Sequence, residues 1–139
     1  MKEKIEKLMN AVREGKEICF AYVYPYGSEP AEEYIFEATP ENMANFVGAH
    51  QYDAEEIVLT DILDRLIMNM RGGFIRQCPN QELCMKIIEH LAPIQMGETE
   101  AKDIGAVPRD ALDEQYNSEA GMSMMQSEGR VNEGVRLFI

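Results

Sequence analysis

Residues 56–78 read Glu56-Ile57-Val58-Leu59-Thr60-Asp61-Ile62-Leu63-Asp64-Arg65-Leu66-Ile67-Met68-Asn69-Met70-Arg71-Gly72-Gly73-Phe74-Ile75-Arg76-Gln77-Cys78, and two structures compete for them. Leu59, Ile62, Leu63, Leu66, Ile67 and Met70 keep a helical period, with Gly72-Gly73 as its stop. In the alternative, residues 56–60 are a strand, Asp61-Ile62-Leu63-Asp64 a turn and residues 65–70 a second strand. Arg71-Gly72-Gly73 then turns the chain into residues 74–78. Periodicity favours the helix; the neighbouring strands and the Gly-Gly pair favour the hairpin. The hairpin is preferred, because a β-β-α-β-β-α order gives every strand a sequential partner.

Those neighbours are read from patterning on the N-terminal side. Ile5, Leu8, Met9 and Val12 fall at i, i+3, i+4 and i+7, and Gly15 follows, which makes residues 2–14 an amphipathic helix. Residues 18–24 are a β-branched and aromatic run ending at Pro25-Tyr26-Gly27. Residues 33–38 are a second strand, joined to the first through Gly27-Ser28-Glu29-Pro30 as a hairpin with a longer turn. Thr39-Pro40-Glu41 starts a helix with a hydroxyl cap, a proline at N1 and an acid in the first turn. Met43, Phe46, Val47 and His50 share one face of it.

On the C-terminal side Asn80 caps a helix over residues 81–91, with Leu83, Cys84, Ile87, Ile88 and Leu91 inward and Pro93 ending it. From Gly97 the composition shifts to Glu, Asp, Gly, Ser and Asn, so residues 97–108 read as a linker. A short helix over 110–119 and an apolar strand over 135–139 follow. The expected architecture is therefore α+β. A compact domain over 1–96 carries an N-terminal helix and an antiparallel sheet, and residues 97–139 form an irregular acidic tail able to dock on it. Met122, Met124 and Met125 would anchor such a tail, since methionine packs adaptably.

The 139 residues carry a formal charge of -12, with 45% hydrophobic and 27% charged residues. That is a globular composition, long enough for a real core. The charge argues against direct binding of nucleic acid or an anionic membrane and favours cationic protein surfaces. The N-terminus is charged and helical in pattern rather than a signal peptide, and no apolar run approaches the roughly 18 residues that span a bilayer. With three unpatterned cysteines, the chain reads as reduced and cytoplasmic.

Candidate chemistry is sparse. Cys78, Cys84 and His90 are spaced C-x5-C-x5-H, unlike the short C-x2–4-C pairs of zinc sites, and positions 84 and 90 lie about 240° apart on a helix. The two cysteines read as core residues and both histidines as boundary residues. No nucleophile elbow, P-loop, dinucleotide fingerprint or H-E-x-x-H is present. Asp53, Glu55 and Asp64 sit loosely at calcium-loop spacing without the central glycine or terminal glutamate. The single Arg71-Gly72-Gly73 looks like an RNA-binding element, but in so acidic a chain it reads as a turn. No metal or cofactor is implied.

What remains is a one-sign block. Between Lys16 and Arg65 there is no lysine or arginine, while Glu17, Glu29, Glu32, Glu33, Glu37, Glu41, Asp53, Glu55, Glu56, Asp61 and Asp64 accumulate. Carboxylates at i and i+2 of a strand are about 6.6–7 Å apart, and those at i and i+3 or i+4 of a helix about 5–6 Å, spacings that permit phosphate mimicry. Asp61 with Asp64, and Glu32 with Glu33 and Glu37 along the second strand, are the candidate pairs. Glu29, Glu32, Glu33, Glu37, Glu41, Asp53, Glu55, Glu56, Asp61 and Asp64 are accordingly the expected partner-binding residues. The leading expectation is a non-enzymatic inhibitor that occupies a basic, nucleic-acid-binding surface of a partner such as a nuclease. It resembles small acidic inhibitors of restriction or CRISPR nucleases in charge and size alone. The alternatives are a homodimeric assembly or regulatory module, and a metal-dependent hydrolase using Asp61 and Asp64.

Overall fold

In the computed structural model, which describes residues 1–115, the deciding stretch is strand, turn, strand, turn, strand: β3 (Ala54–Thr60), β4 (Leu66–Arg71) and β5 (Phe74–Gln77). Asp61 is the reason that the hairpin prevails over the helix. Its carboxylate accepts the backbone N–H groups of Leu63 and Arg65 at 2.9 and 3.0 Å and the Arg65 Nε at 2.7 Å. Asp64 closes the turn in the left-handed region at φ 61. A side chain that binds its own backbone two residues on competes directly with helix formation. Ile62 and Leu63, two of the six residues that make up the helical period, are exposed on the turn. At the other end of β4, Gly72 and Gly73 both have positive φ, 61 and 80. That suits the two-residue type I′ turn that joins Arg71 directly to its partner Phe74.

The preceding elements are α1 (Lys2–Arg13), β1 (Ile18–Pro25), β2 (Glu32–Glu37) and α2 (Pro40–His50). The expected cap at Thr39 is in place, its hydroxyl accepting the Asn42 N–H at 3.0 Å. α3 (Gln81–Gln95) and β6 (Val107–Pro108) follow, and residues 109–115 are helical (α4) as far as the described residues run. Among the described residues the strands form one antiparallel sheet in the order β5-β4-β3-β1-β2-β6. The α+β class and the antiparallel sheet agree with the sequence reading. The three strands between α2 and α3 are those of the hairpin reading, one more than a β-β-α-β-β-α order counts.

One face of the sheet presents Cys19, Ala21, Val23, Phe36, Ile57, Leu59, Met68 and Met70 to Met43, Phe46, Val47, Ile87 and Leu91 of α2 and α3. On the other face Phe20, Ile35 and Val107 pack with Ile5 and Leu8 of α1 and Leu112 of α4. This second layer covers only the β1-β2-β6 side. Alternation along the strands leaves the β3-β4-β5 side of that face to Glu56, Val58, Asn69, Arg71 and Phe74.

Three local expectations are corrected. Pro93 does not end α3, which continues to Gln95. The ring removes one N–H so near the terminus that only the last turn is affected, and Gln95 holds that turn by donating to Gln51 Oε1 at 3.0 Å and Gly73 O at 2.9 Å. Ile88 and His90 are exposed, because α3 buries a narrow stripe centred on Ile87 and Leu91. Residues 97–108 are the return path to the sheet edge. The buried Asn45 accepts the Lys102 N–H at 2.8 Å and donates to Glu41 O at 2.8 Å, after which Val107, fully buried, pairs with Ile35. The expected helix over 110–119 is met as far as residue 115. Met122, Met124, Met125 and residues 135–139 lie outside the described residues.

Candidate functional site

Antiparallel strands put alternate turns at opposite ends of a sheet, and this divides the acidic block. Glu37, Glu41, Asp61 and Asp64 fall at the end where α2 begins; Glu29, Glu32, Glu33, Asp53, Glu55 and Glu56 fall at the end where it finishes. The eight residues of β1 separate the two groups by roughly 23 Å. The ten acids therefore do not share one ridge. Nor does β2 supply a row of phosphate-like carboxylates. Glu32 and Glu33 point to opposite faces, and Glu33 and Glu37, on the same face, stand about 13 Å apart with Ile35 between them.

The first group is largely neutralised. Lys16 lies 3.3 Å from Glu37 and 3.2 Å from Glu14, Lys102 3.6 Å from Glu41, and Arg65 2.7 Å from Asp61. The backbone N–H of Arg65, its side chain and the N–H of Leu63 hold the Asp61 carboxyl below the usual carboxylate range. With both oxygens used in closing the turn, Asp61 has little left to offer a metal or a partner. The same end carries an open groove of about 1060 Å³, lined by apolar side chains including Val12, Ile18 and Leu83 and by as many acids (Glu17, Asp61, Glu82) as cations (Lys16, Arg65, Lys86).

The second group is different. Glu29, Asp53 and Glu55 are exposed and form no ion pair among the described residues. Glu33 meets Arg109 at 3.6 Å, and Arg109 is shared with Asp113 at 3.3 Å. Glu32 accepts the Tyr34 hydroxyl at 2.6 Å, and Glu56 accepts the Asn69 amide. Burial, then the Glu32 carboxylate, push the Tyr34 hydroxyl up to about 12. The His50 ring packs tilted against Phe46 and Tyr34, with centroids 4.5 and 5.5 Å away. Burial lowers its pKa, and Glu32 and Asp53 oppose that shift. α2 and α3 both finish at this end, so the negative ends of two helix dipoles add to its negative potential.

Acidity alone missed the other half of this surface, which is aromatic. Tyr24, Tyr26, Tyr52 and Phe74 are 42%, 59%, 73% and 68% exposed. The register places two of them in one row across four strands, because Tyr24 pairs with Glu56, Glu56 with Arg71, and Arg71 with Phe74. Directly paired residues share a face, so this row spans about 14 Å of open sheet. Arg76 packs over the Phe74 ring at 5.7 Å. Tyr26 and Tyr52 stand in the turns that follow β1 and precede β3 at the same end. Each of the four rings lies next to a turn-forming residue in the sequence, Pro25, Gly27, Asp53 and Gly73, the signal that could have marked their exposure.

Among the described residues no cluster of three or more histidine, cysteine or acidic side chains is arranged to hold a metal, and no helix is long and apolar enough to cross a membrane. A scan against protein-family models and searches of characterised proteins and of solved structures find no match to this chain.

Proposed function

We propose that this protein is a non-enzymatic binding module that holds a lysine- and arginine-rich protein surface at the acidic, tyrosine-bearing end of its sheet. The observation carrying the reading is the coincidence, at one end, of six carboxylates, two helix C-termini and four exposed aromatic rings. Carboxylates attract cationic side chains over distance, and aromatic faces then take them up by cation–π contact. The paired acids at the opposite end have no such role. A nucleic-acid-binding site on a nuclease is one surface of the required chemistry, but the split of the acids favours recognition of cationic side chains over imitation of a regular phosphate row.

The test uses an arginine-rich peptide as probe, followed by pull-down at low and high salt to identify the natural partner. Reversing Glu29, Glu32 and Glu55 to lysine should weaken binding on the order of tenfold or more, since each exposed charge contact contributes about 0.2–1 kcal/mol. Glu17→Lys at the other end should leave it unchanged. Affinity should fall steeply as salt rises. Equal losses from both ends, or salt-independent binding, would refute the assignment.

A further inference from the structure

Cys19, Cys78 and Cys84 are free thiols of two kinds. Cys19 is fully buried in the main core, and burial raises its pKa strongly. Cys78 and Cys84 are half-buried, and the chain path brings them together. Cys78 follows the last residue of β5, two positions before the Asn80 cap, and Cys84 lies in the first turns of α3. Both touch one atom: Cys78 Sγ lies 4.0 Å from Asn80 O, and that oxygen accepts the Cys84 N–H at 2.9 Å. The cap is held independently, since Asn80 Oδ1 accepts the Leu83 N–H at 3.0 Å. Burial and then the adjacent Cys84 sulfur push the Cys78 thiol up to about 12.

We propose that Cys78 and Cys84 are a redox modification site, closing to an intramolecular disulfide across the start of α3 when a low-molecular-weight disulfide is the oxidant. In this sequence Cys84, in the first turns of α3, is the attacking residue and Cys78, just after β5, the resolving one. Cys84 loses its proton to solvent and attacks one sulfur of the oxidant, forming a mixed disulfide and releasing one small thiolate. Cys78, held protonated, then loses its proton to solvent and attacks the Cys84 sulfur, releasing the second small thiolate. Two protein thiols are oxidised, one small disulfide is reduced to two thiols, and the two protein protons end on those products. Because Cys78 must ionise for the second step, closure from the mixed disulfide should accelerate about tenfold per pH unit through the neutral range. The disulfide would tie β5 to α3 beside Asn80 and Leu83, which line the groove at that end.

The experiment equilibrates the full chain in mixtures of oxidised and reduced glutathione, quenches in acid, alkylates and measures intact and peptide masses. The expected product is about 2 Da lighter, with residues 78 and 84 in one cross-linked peptide and Cys19 alkylated only after unfolding. Cys84→Ser should abolish both closure and the mixed disulfide. Cys78→Ser should stop at the glutathione adduct on Cys84. Wild-type protein that stays fully alkylated at positions 78 and 84 at every ratio would overturn the proposal. So would an adduct that persists on wild type as it does on Cys78→Ser, or cross-links only between molecules.

Discussion

Replacing Asn45 with alanine tests how residues 97–108 are held against the domain. Asn45 is 5% exposed in the middle of α2. Its Oδ1 accepts the Lys102 N–H, and its Nδ2 donates to the Glu41 carbonyl, both at 2.8 Å. Glu41 O keeps its place in the helical ladder after the change, so that loss is mild. The Lys102 N–H loses its acceptor at a partly buried position. An unmade bond of that kind costs about 1–3 kcal/mol, and alanine's better helix propensity returns roughly half a kcal/mol. A net destabilisation of about 1–2 kcal/mol in urea unfolding is expected. The loss should also be uneven: the segment beyond Lys102 ends in β6, which pairs with Tyr34 and Ile35 of β2 alone. Amide exchange should therefore rise more at the β2–β6 pairing than in β1 and β3. A stability change under about 0.5 kcal/mol, or equal acceleration in all strands, would refute the idea that this side chain is the latch.

Asp61→Ala should loosen the β3–β4 turn. Because the folded carboxyl is held below its usual range, the wild-type contribution is present above the unfolded pKa and lost as pH falls through the folded one. The variant should show a smaller acid-side decline in melting temperature below pH 4. His50 has a lowered folded pKa, so the unfolded chain binds more protons, and stability should fall as pH drops below about 6.5; His50→Phe should flatten that slope in thermal melts between pH 5 and 8. Met68→Ala empties a fully buried position facing α2 and α3, and should cost about 2–5 kcal/mol by urea titration. Gly73→Ala introduces a Cβ at φ 80 in the β4–β5 turn, for which about 1–2 kcal/mol of destabilisation is expected by the same method.

Local rules were strong wherever side chains act on their own backbone. Thr39 and Asn80 cap the helices predicted from them, and the Gly72-Gly73 pair makes the hairpin turn. They were weak where two periods overlapped. Ile62 and Leu63 complete a helical stripe in sequence yet lie on an exposed turn, because Asp61 satisfies the turn's N–H groups and β4 gains ladder bonds to both neighbours. The extent of α3 past Pro93 was similarly hidden, since Gln95 is fixed by Gln51 and Gly73, which are 44 and 22 residues away.

The candidate surface divides along the same line. Charge sign, the residue block between Lys16 and Arg65, and the lack of the common catalytic motifs needed nothing beyond the chain itself, because charge and residue chemistry are carried by each residue wherever it goes. Only the tertiary structure decided which acids stand together. Strand reversal sends neighbours in sequence to opposite ends of the sheet, pairs Glu37, Glu41 and Asp61 with Lys16, Lys102 and Arg65, and leaves Glu29, Asp53 and Glu55 open to solvent. It also aligned Tyr24, Glu56, Arg71 and Phe74 into one row from four different strands. Such a row depends on register between distant segments, which residue order does not specify until the core on the opposite face has packed.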